Sequence, residues 1–225
     1  MIMDGKCIIV SAGSFTPMDL NYKEGDFLIA CDAGFVHLQN MGILPDFILG
    51  DFDSLSRKST IYLEQLKEIE EADPARVMHL NVMKDDTDTM QAVKLGLSKG
   101  YKKFYLYGSL GGSRFDHSIS NIQTLLFIKH SGAKGYIMSA DGMMLIAENE
   151  TISFNRGMTG MFSVFSISDI SVGVTIKGAM YGLENGIMKN DTPIGVSNEF
   201  IIDEQATVTV EKGTLLICVQ WDNYL

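Results

Sequence analysis

The sequence predicts an α/β protein in two parts: an N-terminal, mostly parallel sheet flanked by helices (Rossmann-like), followed by a C-terminal antiparallel β-sandwich. Three observations predict it. Up to about residue 140, short apolar runs alternate with amphipathic helical stretches, the pattern of a parallel sheet with helices on its faces. From about Gly142 the helical period fades, and β-prone runs punctuated by Gly, Asn and Asp follow one another. Four apolar runs of the first half each end in an acidic or glycine-rich cluster, where an open α/β sheet binds its ligands. Two domains are therefore expected, residues 1–140 and 141–225.

The elements follow in order. Cys7–Val10 reads as a short buried strand, followed by the turn-prone Ser11–Ser14. Phe27–Cys31 is a second strand, and Gly34–Met41 a short helix that Gly42 and Pro45 end. Asp46–Gly50 is a third strand. A helix over Ser56 to about Glu71 carries Ile61, Leu63, Leu66 and Ile69 as its apolar stripe. After a strand over Val77–Val82, Asp85 or Asp86 caps a helix running to Ser98, with Met90, Val93 and Leu97 on one face. Phe104–Tyr107 is a strand, Asp116–His130 a helix and Gly135–Ala140 a strand. In the second half the β-prone runs are Met143–Ala147, Thr151–Phe154, Met161–Ile167, Val172–Ile176, Thr207–Val210 and Thr214–Val219. Tyr181–Asn185 and Val196–Glu199 read as hairpin punctuation between them.

Composition narrows the partners. The 225 residues are 46% hydrophobic and 20% charged, ordinary for a globular protein with ample core. A formal net charge of −10 argues against a nucleic-acid or anionic-membrane surface, both of which need basic stripes. Cys7, Cys31 and Cys218 form no C-x-x-C pair and read as buried thiols of a reducing, cytoplasmic compartment. No apolar run approaches the roughly 20 residues of a membrane helix, and the N-terminus does not read as a signal peptide. The four histidines show no zinc-ligand spacing.

Chemistry concentrates in the clusters at the strand ends. Asp51 and Asp53, two apart after an apolar strand, can face one hard cation; an Asx-turn is the competing reading. Lys84-Asp85-Asp86-Thr87-Asp88 holds more acid than helix capping requires, which favours a functional role for Asp88 and Lys84. Gly108, Gly111, Gly112 and Ser113 form a glycine-rich loop opening a helix, where backbone N–H groups can approach phosphate oxygens. Arg114 offers a planar fork to the same anion. Asp32 and Asp116 add carboxylates nearby, whereas His117, at a helix start, reads as structural. Crowded acids and a phosphate cradle point to a metal–polyphosphate, with Mg²⁺ suited to the carboxylates, and the negative net charge does not exclude ATP.

Together these segments resemble the thiamine pyrophosphokinase (thiamine diphosphokinase) family. Cys31-Asp-Ala-Gly34 is similar to its A-D-G-G, and Gly50-Asp-Phe-Asp-Ser54 matches its G-D-x-D-S. Lys84–Asp88 resembles its K-D-x-T-D segment, and Gly111–His117 with Asn121 resembles G-x-R-x-D-H-x-x-x-N. Gly182-Leu-Glu-Asn185 and Ser197-Asn198 are close to its G-L-x-x and S-N elements. The likeness spans nearly the whole chain and departs at Ala33, where most of the family has Gly, and at Leu215–Ile217, which lacks the aromatic residue some members carry. It implies transfer of pyrophosphate from ATP to the thiamine hydroxyl, release of AMP, Mg²⁺ and a homodimer. By position, Asp51, Asp53 and Asp88 are implied as metal-site and catalytic acids with Arg114. Asp32, Lys84, Gly108, Gly111, Gly112, Ser113 and Asp116 are implied at the phosphates, and Asn121, Ser197 and Asn198 at thiamine. The residues alone leave open an Asp-nucleophile, Mg²⁺-dependent phosphatase, in which Asp51 attacks phosphorus, and a non-catalytic nucleotide or thiamine sensor.

Overall fold

The computed structural model describes residues 3–53, 60–81, 85–112 and 114–222. The chain divides into two compact units, Met1–Ala140 and Asp141–Leu225.

The first unit is built on β1 (Cys7–Val10), β2 (Phe27–Cys31), β3 (Phe47–Gly50), β4 (Val77–His79), β5 (Lys103–Tyr107) and β6 (Lys134–Ser139). They lie in the order β6-β5-β1-β2-β3-β4, every neighbouring pair parallel. The helices α1 (Gly34–Asn40), α2 (Thr60–Ala72), α3 (Asp88–Ser98) and α4 (Phe115–His130) fill the crossovers. Every residue of β1 is buried because both faces of the sheet are covered, which is why the strand reads as an unbroken apolar run. Ile8, Val10, Leu28, Ala30 and Ile48 share a core cluster with Phe35, Leu38 and Leu66. Tight backbone packing fixes the elements: a Cβ on Gly34 would sit 1.9 Å from the Val10 carbonyl oxygen, and one on Gly96 would meet the Phe104 ring and Cys7 Sγ.

The second unit holds two antiparallel groups of strands. One runs β12 (Gly195–Glu199), β9 (Met161–Ser166), β14 (Thr214–Gln220), β7 (Gly142–Glu148). The other runs β11 (Leu183–Lys189), β10 (Ile170–Lys177), β13 (Thr207–Thr209), β8 (Thr151–Ser153). Alternate residues of β9 point inward (Phe162, Val164, Ser166), and Phe154, Phe162 and Phe200 form an aromatic cluster with centroids 4.8–5.9 Å apart.

Several boundaries differ from expectation. Thr87, not Asp85 or Asp86, caps α3: its extended backbone lets the hydroxyl accept from the Met90 N–H at 3.2 Å. Asp86 instead accepts from Gln91 and pairs with Lys94 on the helix surface. α2 is described from Thr60, since Ser54 to Ser59 lie outside the described residues, and Ile61 on it is exposed. β4 ends at His79, so the expected strand is shortened by Leu80 and Asn81, while Val82 lies outside the described residues. Tyr181–Asn185 and Val196–Glu199 are not mere punctuation: most of each belongs to a strand, β11 or β12. Both strands are largely exposed, so they lack the apolar alternation that marks a strand in sequence.

Candidate functional site

The strand order fixes where a ligand can enter. The chain runs outward from β1 through β2, β3 and β4, then returns to place β5 on the other side of β1. Crossovers therefore diverge between β1 and β5, leaving a crevice beyond their carboxyl ends. A cleft of about 310 Å³ opens there. Its walls are the loop after β1 (Ser11, Ala12, Gly13), the end of β2 (Cys31, Asp32, Ala33), the start of α3 (Thr87, Asp88, Thr89) and the glycine-rich loop into α4.

The two loops beside the crevice are laced by backbone. Ser11 N–H donates to the Tyr107 carbonyl at 2.8 Å, Gly13 N–H to Gly108 at 2.7 Å and Ser14 N–H to Leu110 at 2.9 Å. Glycine is required at this approach: Gly108 has φ +58°, and a Cβ there would lie 2.3 Å from the Ser11 carbonyl oxygen. Beneath them Ser11, Thr89 and Ser109 form a buried hydroxyl trio, with Ser11 Oγ 2.8 Å from Thr89 Oγ1 and 3.4 Å from Ser109 Oγ. Asn121, buried on α4, donates through Nδ2 to the Ser109 carbonyl at 2.7 Å. His37 Nε2 lies 3.1 Å from the Gly13 carbonyl oxygen and stacks on Phe15.

Of the residues singled out in the sequence, Asp32, Asp88, Gly108, Gly111, Gly112, Arg114 and Asn121 line this cleft. Cys31 Sγ–H donates to the Asp88 carbonyl at 3.7 Å, tying the end of β2 to the start of α3. Arg114 grips Asp116 fork to fork, Nε to Oδ1 at 2.9 Å and Nη2 to Oδ2 at 2.6 Å. That hydrogen bond is the main reason the exposed Asp116 carboxyl is held down to about 2, below the usual carboxylate range. Lys84 and Ser113 lie outside the described residues.

Asp51 and Asp53 are not among the cleft-lining residues. They follow β3, and the Asx-turn weighed for them is present: Asp53 N–H donates to Asp51 Oδ1 at 3.2 Å. Among the described residues no group of three or more His, Cys, Asp or Glu side chains is gathered closely enough to hold a metal by itself. The donor chemistry nonetheless fits Mg²⁺ carried on a nucleotide, which takes one or two carboxylates and completes its shell with phosphate and water.

Ser197 and Asn198 lie in the β-sandwich unit. Ser197 is exposed, at φ 58° in an irregularity of β12. Asn198 is 5% exposed, and its amide is engaged by backbone. Oδ1 accepts from Tyr181 N–H at 3.0 Å and Glu199 N–H at 2.9 Å, while Nδ2 donates to the Tyr181 carbonyl at 2.7 Å. Three of its four hydrogen-bonding positions are thereby used, making it a clamp on the segment entering β11.

Sequence reasoning missed Ser11, Gly13 and Thr89 as part of the cleft, and His37 against the Gly13 carbonyl, and gave His117, which lines the cleft, only a structural role. For Ser11 and Gly13 the signal was the turn after β1, but nothing in the sequence said that β1 lies at the divergence of the crossovers.

Fold and cleft define a class: an α/β unit with a ligand crevice at its topological switch point, followed by an antiparallel β-sandwich. Comparison with known proteins makes the family explicit. The catalytic-domain model of thiamin pyrophosphokinase matches residues 19–137, and the vitamin B1 binding domain model of the same family matches residues 148–215. The chain belongs to the thiamin pyrophosphokinase family. It is 28% identical over 202 residues to the thiamine pyrophosphokinase of Bacillus subtilis (strain 168), covering 86% of this chain and 87% of that one. The crystal structure of thiamine pyrophosphokinase from Bacillus subtilis superposes with a TM-score of 0.83 at 26% identity, covering 96% of this chain and 99% of that chain. The yeast thiamin pyrophosphokinase structure shares the fold, with a TM-score of 0.77 at 14% identity over 97% of this chain and 86% of that one. The chain is thus an enzyme, a kinase-type transferase that moves pyrophosphate from ATP to thiamine, and the phosphatase and sensor readings are not favoured.

Proposed function

We propose that the crevice beside β1 and β5 holds the ATP phosphates during this transfer, and that the second unit supplies thiamine-binding groups. The observation that carries the reading is a coincidence of place. Three of the four cleft-lining segments, 31–33, 87–89 and 108–121, fall within the region matched by the catalytic-domain model, and the fourth, 11–13, shortly precedes it. The backbone of Gly108, Gly111 and Gly112 approaches the phosphates, with Arg114 as the planar donor fork and Asp116 orienting that fork. Lys84 and Ser113 join this set on sequence pattern alone.

Asp51, Asp53 and Asp88 are the proposed magnesium-holding acids, one or two of them on any one nucleotide-borne ion rather than all three as a preformed cluster. Bound there, Mg²⁺ supplies neutralisation of charge on the phosphate oxygens. The chain's own groups do the positioning on which phosphoryl-type transfer depends. Asp32, on the cleft wall and outside the proposed metal set, takes the proton of the attacking thiamine hydroxyl. Arg114 stabilises charge on the transferred oxygens. Attack falls on the β-phosphorus, and AMP leaves.

In the second unit, Ser197 is the proposed thiamine contact, and Asn198 acts by holding the Tyr181 segment. Asn121 supports the phosphate loop rather than meeting thiamine itself. A homodimer through the β-sandwich unit is supported by exposed apolar side chains such as the cross-strand pair Val172 and Ile187, with Ile170 and Ile194. No helix among the described residues is long and apolar enough to cross a membrane, and we place the enzyme in the cytoplasm.

The test is one incubation of the chain with ATP, Mg²⁺ and thiamine, read by mass spectrometry. Thiamine diphosphate and AMP are the expected products. ADP with thiamine monophosphate, or free phosphate without a thiamine product, would overturn the reading.

A further inference from the structure

The loop after β3 contains a backbone conformation that demands a cause. Phe52 has φ 59°, in the left-handed region where a bulky side chain is a genuine outlier. It stands between Asp51 and Asp53. Its ring is 6% exposed and belongs to the core cluster with Ile48, Leu66 and Val77. The His79 ring meets it edge-on, with centroids 5.1 Å apart and an interplanar angle of 82°. His79 Nε2 is in turn 2.9 Å from Glu70 Oε1 on α2. The end of β4 is registered against this loop, His79 opposite Gly50, with Leu80 N–H donating to the Gly50 carbonyl at 2.8 Å.

Gly50 cannot serve as an anchor, because a Cβ there would lie 3.0 Å from the Asp32 Cα. Phe52 is therefore the first residue past β3 whose side chain can tie the loop to the core. Burying an aromatic ring is favourable enough to hold an unfavourable backbone angle, and strain kept in this way clusters at functional sites. Its consequence is geometric. The left-handed turn closes the Asx-turn between the two acids, engaging one carboxylate oxygen of Asp51. We propose that Phe52 is a positioning residue, braced by His79 and Glu70, that presets Asp51 and Asp53 as a pair for the nucleotide-borne cation. This rests on the metal role proposed for those acids.

The test uses Mn²⁺ as a paramagnetic stand-in, titrated by electron paramagnetic resonance into the full chain with an unreactive ATP analogue. Thermal unfolding by circular dichroism is followed in parallel. Phe52→Gly keeps the left-handed angle accessible and deletes the anchor; Phe52→Leu keeps an apolar anchor; His79→Ala removes the brace from an exposed position. Phe52→Gly is expected to weaken Mn²⁺ binding by about 10–100-fold, the range seen when groups orienting metal ligands are lost. His79→Ala is expected to weaken it by a smaller factor, and Phe52→Leu to stay closest to the parent. Parent-like Mn²⁺ affinity in folded Phe52→Gly overturns the inference. If that variant does not fold, parent-like affinity in His79→Ala overturns it instead. Asp53→Asn separates the two layers: normal Mn²⁺ binding there removes the metal assignment itself. Loss in Asp53→Asn with none in Phe52→Gly removes the positioning role alone.

Discussion

In the α/β unit β1, β2 and β3 are apolar from end to end, and polar chemistry begins only past their last residues. Cys7–Val10 runs into Ser11, Phe27–Cys31 into Asp32, and Phe47–Gly50 into Asp51. In the β-sandwich unit the candidate groups sit inside strands, Ser197 and Asn198 within β12, with backbone irregularity supplying the special geometry. The difference follows from how each sheet is covered. A parallel sheet buried on both faces can show polar side chains only at its ends. An antiparallel edge strand has an open side and can carry them along its length. The first unit concentrates its reactive groups at one place by topology, while the second must fix each group locally.

This contrast can be broken or sharpened by mutation. The largest effect is expected at the strand-end acids. Asp53→Asn removes a charge on which several kcal/mol of transition-state stabilisation rests, so turnover falls on the order of 100-fold or more. A steady-state assay on folded protein checks it, and near-parental turnover would show that ends-of-strands chemistry does not include this loop. Next is the local fixing of the β unit. Asn198→Ala strips the partners from the Tyr181 N–H and carbonyl and should cost about 1–3 kcal/mol in chemical denaturation. Because the clamp holds the second unit, KM for thiamine should rise while KM for ATP stays unchanged. A rise in both would contradict the division of labour.

Thr87→Ala, which deletes the α3 cap beside Asp88, is expected to cost about 1 kcal/mol of stability. Thermal unfolding of the purified variant measures it. The smallest effect is electrostatic. With its carboxyl held down to about 2, Asp116 keeps its pairing with Arg114 at neutral pH. The sign follows from the depression: the pair's contribution is fully present above the ordinary carboxylate value near 4. It is lost as pH falls through about 2. Carbon-13 detected NMR titration should find this low midpoint, and Arg114→Gln should return it toward the ordinary value. An ordinary midpoint in the parent chain would mean that the fork does not persist in solution.

Much of the first unit was legible because burial on both faces leaves an unmistakable apolar run. Phe27–Cys31 and Cys7–Val10 were bounded to the residue. Strand order was not legible, and with it went the importance of Ser11 and Gly13: their role comes from β5 lying beside β1, a pairing of residues 97 positions apart, such as Cys7 with Phe104. The acidic run 84–88 also read as one cluster, although the helix divides it. Thr87 caps, Asp86 pairs along the surface and Asp88 lines the cleft, because successive residues around a helix start face different ways. In the second unit β11 and β12 escaped notice because neither buries a continuous face. The motif order carried the family likeness across those gaps.

One detail of packing has a bearing on how this chain can vary. At Gly34 even a methyl group would collide with the carbonyl that ends β1, whereas at Gly42, past the end of α1, nothing lies within 4 Å of the added carbon. The two glycines, about two turns of helix apart, thus impose opposite tolerances. A saturation library should leave the first position blank and fill the second with asparagine, whose backbone accepts the left-handed angle found there.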